Sequence, residues 1–179
     1  MIFSEFQGKK LSLLGFGAMR LPMKDDVIDQ EMVDQMVRYG MEHGVNYFDT
    51  AWGYHEGTSE VVLGRALARH PRESFYLATK FPGYDLSNFG KHEEIFYKQL
   101  EKCKTDYFDF YLYHNVCELN IDKYLDDSTG LTEFLLKMKE EGKIRHLGFS
   151  CHGSQETMHR FIMKNFRHIE FCQIQLNYL

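Results

Sequence analysis

Residues 74–114 read SFYLATKFPGYDLSNFGKHEEIFYKQLEKCKTDYFDFYLYH and hold one complete strand–helix–strand step. SFYLATK and FDFYLYH are nearly continuous apolar runs, the pattern of parallel strands covered on both faces. Between them HEEIFYKQLEKCK sets Ile95, Phe96 and Leu100 at helical spacing. Each strand ends on a polar group, Lys80 in the first and His114 in the second. The step repeats outward. LSLLGFG and NYFDTA precede it, IRHLGFS and FCQIQLNYL follow it, and successive starts are about thirty residues apart, the length of a βαβ unit. The segments between read as helices. EMVDQMVRYGMEHG puts Met32, Val33, Met36 and Val37 on one face, with Gly44 as its stop. SEVVLGRALARH offers Val62, Leu63, Ala66 and Leu67, with Ser59 as N-cap. LTEFLLKMKEEGK offers Leu131, Phe134, Leu135 and Met138, and SQETMHRFIMKN offers Met158, Phe161 and Ile162. The opening MIFSEFQGKK predicts a short hairpin turning at Gln7-Gly8.

Alternation of strand and helix makes the fold α/β, either a (β/α)8 TIM-type barrel or a doubly wound open sheet. The polar residues decide between them. Asp49, Lys80, His114 and Ser150 stand at the exits of four successive strands rather than at one switch point, and a barrel collects such a ring at one end. A complete barrel has eight strands and about 250 residues. The 179 residues supply about six βα units, so the expectation is an incomplete barrel, the N-terminal portion of one, in a single domain over 1–179. Its open edges invite self-association.

Composition narrows the function. A net charge of −5 gives no basic stripe for nucleic acid, and no apolar run reaches the roughly 20 residues of a membrane span. The start lacks the cationic flank and apolar core of a signal peptide, so a cytoplasmic protein is expected. Cys103, Cys117, Cys151 and Cys172 form no CxxC pair, and no metal is expected. The sharper alternative gathers Cys117, Cys151, His114 and His152 around an ion.

Asp49, Tyr54, Lys80 and His114 together form a proton-donating device. A phenol holds its proton until a pKa near 10, and a nearby ammonium favours the phenolate. Lys80 can supply that charge, Asp49 can keep the lysine protonated, and the His114 imidazole can hydrogen-bond a carbonyl oxygen. Taken singly, Asp49 reads equally well as a loop acid, Tyr54 as a packing residue and His114 as a satisfied structural histidine. Gly15 and Gly17 lack the third glycine and the immediate helix of a dinucleotide-binding turn.

NYFDTAWGYHEGTSEVVLGRAL resembles the signature of the aldo-keto reductases, with Asp-Thr-Ala, then Tyr, then Ser-Glu and Leu-Gly. LGFGAMRLP, ATK, YLYH and LGFS recur in that family in the same order. The resemblance implies a catalytic tetrad of Asp49, Tyr54, Lys80 and His114 on a (β/α)8 barrel. It also implies hydride transfer between NADPH/NADP+ (with NADH as the variant) and a small-molecule aldehyde or ketone. Gly17, Ala18 and Met19 would then border the nicotinamide ribose, Ser150 and Gln173 would hold its carboxamide, Asp49 would also belong to the cofactor site, and Cys151 would be a small packing residue at the cofactor edge. The chain departs from the pattern in carrying Cys151-His152 after Ser150, and in lacking strands seven and eight with the segment that grips the adenosine phosphate. A truncated, non-catalytic nicotinamide-binding or regulatory barrel is therefore the alternative, and a metal-dependent hydrolase built on His114, His152 and Asp49 is a more distant one. Trp52 and Tyr84 read equally as pocket or packing residues, and His55 as solvated.

Overall fold

Apolar strand residues and polar strand exits recur in the computed structural model, which describes residues 1–176. In chain order its elements begin with β1 (Phe3–Phe6), β2 (Lys9–Ser12), β3 (Phe16–Gly17), β4 (Met23–Lys24), β5 (Val27–Ile28), α1 (Gln30–Glu42), β6 (Tyr47–Asp49) and α2 (Ser59–Leu67). They continue with β7 (Tyr76–Phe81), α3 (His92–Cys103), β8 (Phe108–Val116), α4 (Ile121–Leu125), α5 (Leu131–Glu140), β9 (Ile144–Cys151), α6 (Gln155–Asn165) and β10 (Phe171–Ile174). The six-stranded sheet has the order β3-β6-β7-β8-β9-β10, and the β3–β6, β6–β7, β8–β9 and β9–β10 pairs are parallel. Neighbours in space are neighbours in sequence, as in a (β/α)8 barrel carried through six of its strands. Residues 177–179, the end of the predicted strand FCQIQLNYL, lie outside the described residues. No helix among the described residues is long and apolar enough to cross a membrane.

Contacts divide the chain into two units, residues 1–79 with 99–106, and residues 80–98 with 107–179. The first opens with the predicted hairpin. β1 and β2 pair antiparallel, and left-handed Gln7 and Gly8 (φ 46° and 75°) turn the chain between them. A second hairpin, β4–β5, turns on Asp25 and Asp26 at φ 50° and 62° and was not legible as strand. The core of this unit centres on Phe48, whose ring meets Phe75 edge-on at 6.1 Å, and on Val33, Val37, Leu63 and Leu67.

Helix α1 corrects one expectation. Val33 and Val37 are buried, but Met32 and Met36 stay 44% and 40% exposed. The packed stripe is rotated toward Gln30 and Asp34. Gln30 Nε2 donates to the Val62 carbonyl at 3.1 Å and Asp34 pairs with Arg69 at 2.8 Å, which turns the methionines outward.

In the second unit, Phe96 packs against Phe108, Tyr111 and Phe134 with ring centroids 5.2–5.8 Å apart. Phe161 of α6 packs against Tyr113 and Phe149 at 5.2 and 4.8 Å. Glu170 ties the entry of β10 to β9 by accepting from His146 Nδ1 at 2.7 Å. The segment NVCELNIDKYLDDSTG, from the end of β8 to the start of α5, contains helix α4.

The backbones of α2 and α3 approach closely at Gly64. A Cβ there would lie 2.6 Å from the Lys102 carbonyl oxygen and 2.7 Å from the Cys103 backbone, neither of which can swing aside. Gly64→Ala is expected to cost about 1–3 kcal/mol of stability, read from urea unfolding. An unchanged midpoint would contradict this packing.

Candidate active site

In the first unit the site begins at the exit of β6. Asp49, 8% exposed, lies in register with Gly17 on one side and Ala78 on the other. Its carbonyl accepts the Ala18 N–H at 2.8 Å. Ala18 is buried, whereas Met19 is exposed. Ser59 donates its hydroxyl proton to the Ala18 carbonyl at 2.8 Å, so the 3.0 Å contact with Thr50 Oγ1 has threonine as donor. The predicted N-cap role of Ser59 therefore fails, because the hydroxyl is fully buried and committed to a tertiary partner. Thr58 occupies the cap position instead.

Tyr54 opens a tight turn, residues Tyr54–Gly57, in which three successive residues are left-handed. His55 has φ 49° and ψ 50°, Glu56 φ 55° and ψ 32°, and Gly57 φ 88°. Such a conformation costs a non-glycine residue about 1–2 kcal/mol, so the turn persists only because other groups hold it. His55 is one of them. It is half-buried rather than solvated, and its Nε2 accepts the Leu21 N–H at 2.8 Å. Lys102 holds the other side. Its ammonium donates to the Gly57 carbonyl at 3.0 Å, lies 4.0 Å from the centre of the Trp52 ring and pairs with Glu60 at 3.3 Å. Glu60, fully buried, also accepts from Thr79 Oγ1 and Gln99 Nε2, each at 2.7 Å. The sequence reading missed this network. Its one visible signal is Gln99, a polar residue on the apolar stripe of α3 beside Ile95 and Phe96.

In the second unit Lys80, near the end of β7, is 1% exposed. His114 stands near the end of β8, with the Tyr84 ring edge-on at 5.3 Å. Burial first, then the charge of Lys80 and then His152, push the His114 imidazole down to a pKa of about 3. The imidazole is neutral at pH 7 and keeps one N–H to donate. A bulge sets its direction. Tyr113 pairs with Phe149 and Val116 with Cys151, so His114 and Asn115 together oppose Ser150. Asn115, left-handed at φ 55°, donates its N–H to Ser150 Oγ at 2.8 Å.

Ser150 also lies in register with Gln173. Paired residues on adjacent strands project to the same face, so a hydroxyl and a primary amide stand side by side. Ser150 retains its own proton to donate, and Gln173 can donate and accept. That donor set fits a carboxamide, and among the described residues no atom lies within 4 Å of the Cβ that Gly17 lacks. Cys151 alternates to the other face from Ser150 and, with His152, Gly153, Met158 and Ile174, lines a groove of about 460 Å³. Burial pushes its thiol pKa up, which keeps it protonated. Among the described residues no three His, Cys, Asp or Glu side chains are grouped to hold a metal ion.

This chemistry agrees with what the chain resembles as a whole. Residues 13–179 match the Aldo/keto reductase family model, and the chain belongs to that family. It is 31% identical over 163 residues to a probable aldo-keto reductase 1 of Glycine max, matching 86% of this chain and 45% of that protein. It is 30% identical over 149 residues to an L-galactose dehydrogenase of Arabidopsis thaliana, matching 80% of this chain and 46% of that one. An aldo-keto reductase from Klebsiella pneumoniae in complex with NADPH superposes with a TM-score of 0.74 at 24% identity, over 95% of this chain and 56% of that one. The chain thus spans about half the length of the curated relatives it matches.

Two outcomes follow from the geometry. Lys102→Met leaves the buried Glu60 carboxylate without its cation and is expected to lower stability by about 3 kcal/mol, measured by denaturant unfolding. A loss below a few tenths would mean the pair is dispensable. The second concerns Glu118, which accepts the Ser154 N–H at 2.7 Å and the Thr157 hydroxyl at 2.8 Å at the start of α6. These bonds hold its carboxyl down to a pKa of about 2. Because the folded value lies below the ordinary one of about 4.3, the stabilisation is complete above that ordinary range and fades as pH falls toward 2. Melting temperature followed over this window should fall more steeply in wild type than in Glu118→Gln, and parallel curves would refute the assignment.

Proposed function

We propose that the chain is the reductase portion of an NADP(H)-dependent oxidoreductase that acts on a small aldehyde or ketone, with Tyr54 as general acid. The observation that carries this reading is a fully buried Lys80 beside a His114 that burial keeps neutral. A neutral imidazole donates a hydrogen bond to a carbonyl oxygen without giving up its proton, which polarises the carbonyl and fixes its direction. Tyr54, presented on its strained turn, then protonates that oxygen as negative charge develops on it. The phenolate left behind is stabilised by the Lys80 ammonium, whose burial Asp49 offsets with a compensating carboxylate.

NADPH, when bound, supplies the hydride to the carbonyl carbon. Ser150 and Gln173 are the groups we assign to its carboxamide, and Gly17, Ala18 and Met19 to the ribose side. Cys151 contributes as the small wall of the adjacent groove. The relative solved with NADPH supports this choice of cofactor, and residues 1–179 are taken to act as one domain. Asp49, Tyr54, Lys80 and His114 are taken to serve one carbonyl.

Tyr54→Phe tests the reading. Turnover of an aromatic aldehyde, followed by loss of NADPH absorbance, is expected to fall by roughly 10²–10⁴, while cofactor affinity, read from NADPH fluorescence, is preserved. Wild-type turnover in the variant would eliminate Tyr54 as the acid. NADPH binding by the wild-type chain without reduction of any aldehyde would instead identify a nicotinamide-binding scaffold.

A further inference from the structure

Tyr124 lies outside the residues assigned above, yet its hydroxyl is fitted to the backbone at two of their strand ends. It comes from the short helix α4 and is 3% exposed. Its ring is caged by Phe81, Phe89, Tyr113 and Phe161, all edge-on, at 5.3–6.5 Å. Its hydroxyl donates to the His114 carbonyl at 2.8 Å, and the Phe81 carbonyl, one residue after Lys80, stands 3.4 Å away. A hydroxyl has one proton, so the short contact is the principal bond and the long one a secondary contact. One atom therefore touches the backbone of both strand ends.

Two independent features show that the fit is built. A Cβ at Gly83 would lie 2.1 Å from the Tyr124 hydroxyl oxygen and 2.3 Å from Cζ, so this close approach excludes every side chain but hydrogen. The bulge in β8 also takes His114 and Asn115 out of the regular ladder with β9. Side chains replace it. Tyr124 takes the His114 carbonyl, Ser150 takes the Asn115 N–H, and Asn120 Nδ2 donates to the Asn115 carbonyl at 2.8 Å.

We propose that Tyr124 is a positioning residue whose hydroxyl pins the end of β8 against the end of β7 and so fixes His114 relative to Lys80. The proposal rests on the reading that these two groups serve the carbonyl. Burial pushes the Tyr124 phenol well above its ordinary pKa. Its proton is thus committed to a backbone carbonyl, and Tyr124 is not a second acid.

Tyr124→Phe removes the hydroxyl and keeps the caged ring. Tyr113→Phe is the control, since it removes another buried hydroxyl, bonded to Thr132 Oγ1 at 3.1 Å, that does not touch the His114 carbonyl. Two readouts apply to the full chain. With an aromatic aldehyde and NADPH, Tyr124→Phe is expected to lose about ten- to a hundredfold in kcat at nearly constant KM. The His114 imidazole, followed by NMR against pH, is expected to titrate about one unit higher once its seat loosens and admits water. Tyr113→Phe should move neither. Gly83→Ala, which drives the hydroxyl away while retaining it, should shift the His114 titration in the same direction. Unchanged His114 titration in both Tyr124→Phe and Gly83→Ala would overturn the proposal, as would an equal shift in Tyr113→Phe. The NMR arm needs no turnover, so it decides the matter even where Tyr54→Phe has already disproved the reductase reading.

Discussion

The buried carboxylate of Glu60 is the constraint on which the first unit depends. A charge with no solvent must be surrounded by donors, and Glu60 has three: Thr79 of β7, and Gln99 and Lys102 of α3. Lys102 then extends the network to Trp52 and to the Gly57 carbonyl. Satisfying one acid therefore also fixes the turn that carries Tyr54. That turn could not hold three left-handed residues in succession on local preference alone.

The second unit solves a similar problem with neutral groups. Where the β8 ladder breaks at His114, hydroxyls and an amide take over main-chain partners one by one. Both units place chemically useful side chains at positions where regular secondary structure stops, and both stabilise the irregularity from beneath with buried polar contacts. An imidazole kept neutral and a lysine kept dry depend on that support, since either would relax toward water if the strand ends moved.

Much of this was legible. Strand exits ending in Asp49, Lys80, His114 and Ser150 announced the fold, because an apolar run closed by a polar residue marks where a buried strand leaves the core. Gln7-Gly8 announced its hairpin, and the apolar faces of α2 and α3 lie where the spacing put them. Other elements were misread for a common reason. Ser59 looked like a cap, Met32 and Met36 looked like core, and His55 looked solvated. In each case the side chain's role depends on a partner from a distant segment: Ala18 for Ser59, Leu21 for His55, and Arg69 with Val62 for the rotation of α1. The Asp25-Asp26 turn was hidden because its two-residue strands are too short to show alternation.

By itself the sequence determined the order of the six sheet strands and the longer helices, the family, and which residue types stand at the strand exits, since periodicity and local motifs are properties of neighbours along the chain. Tertiary structure alone decided how those groups are held. The clamp on the Tyr54 turn, the bulge that turns His114, and the hydroxyl of Tyr124 between two carbonyls all join residues that are far apart in sequence. Their energies come from distance, burial and the count of donors against acceptors, and these exist only once the chain has folded.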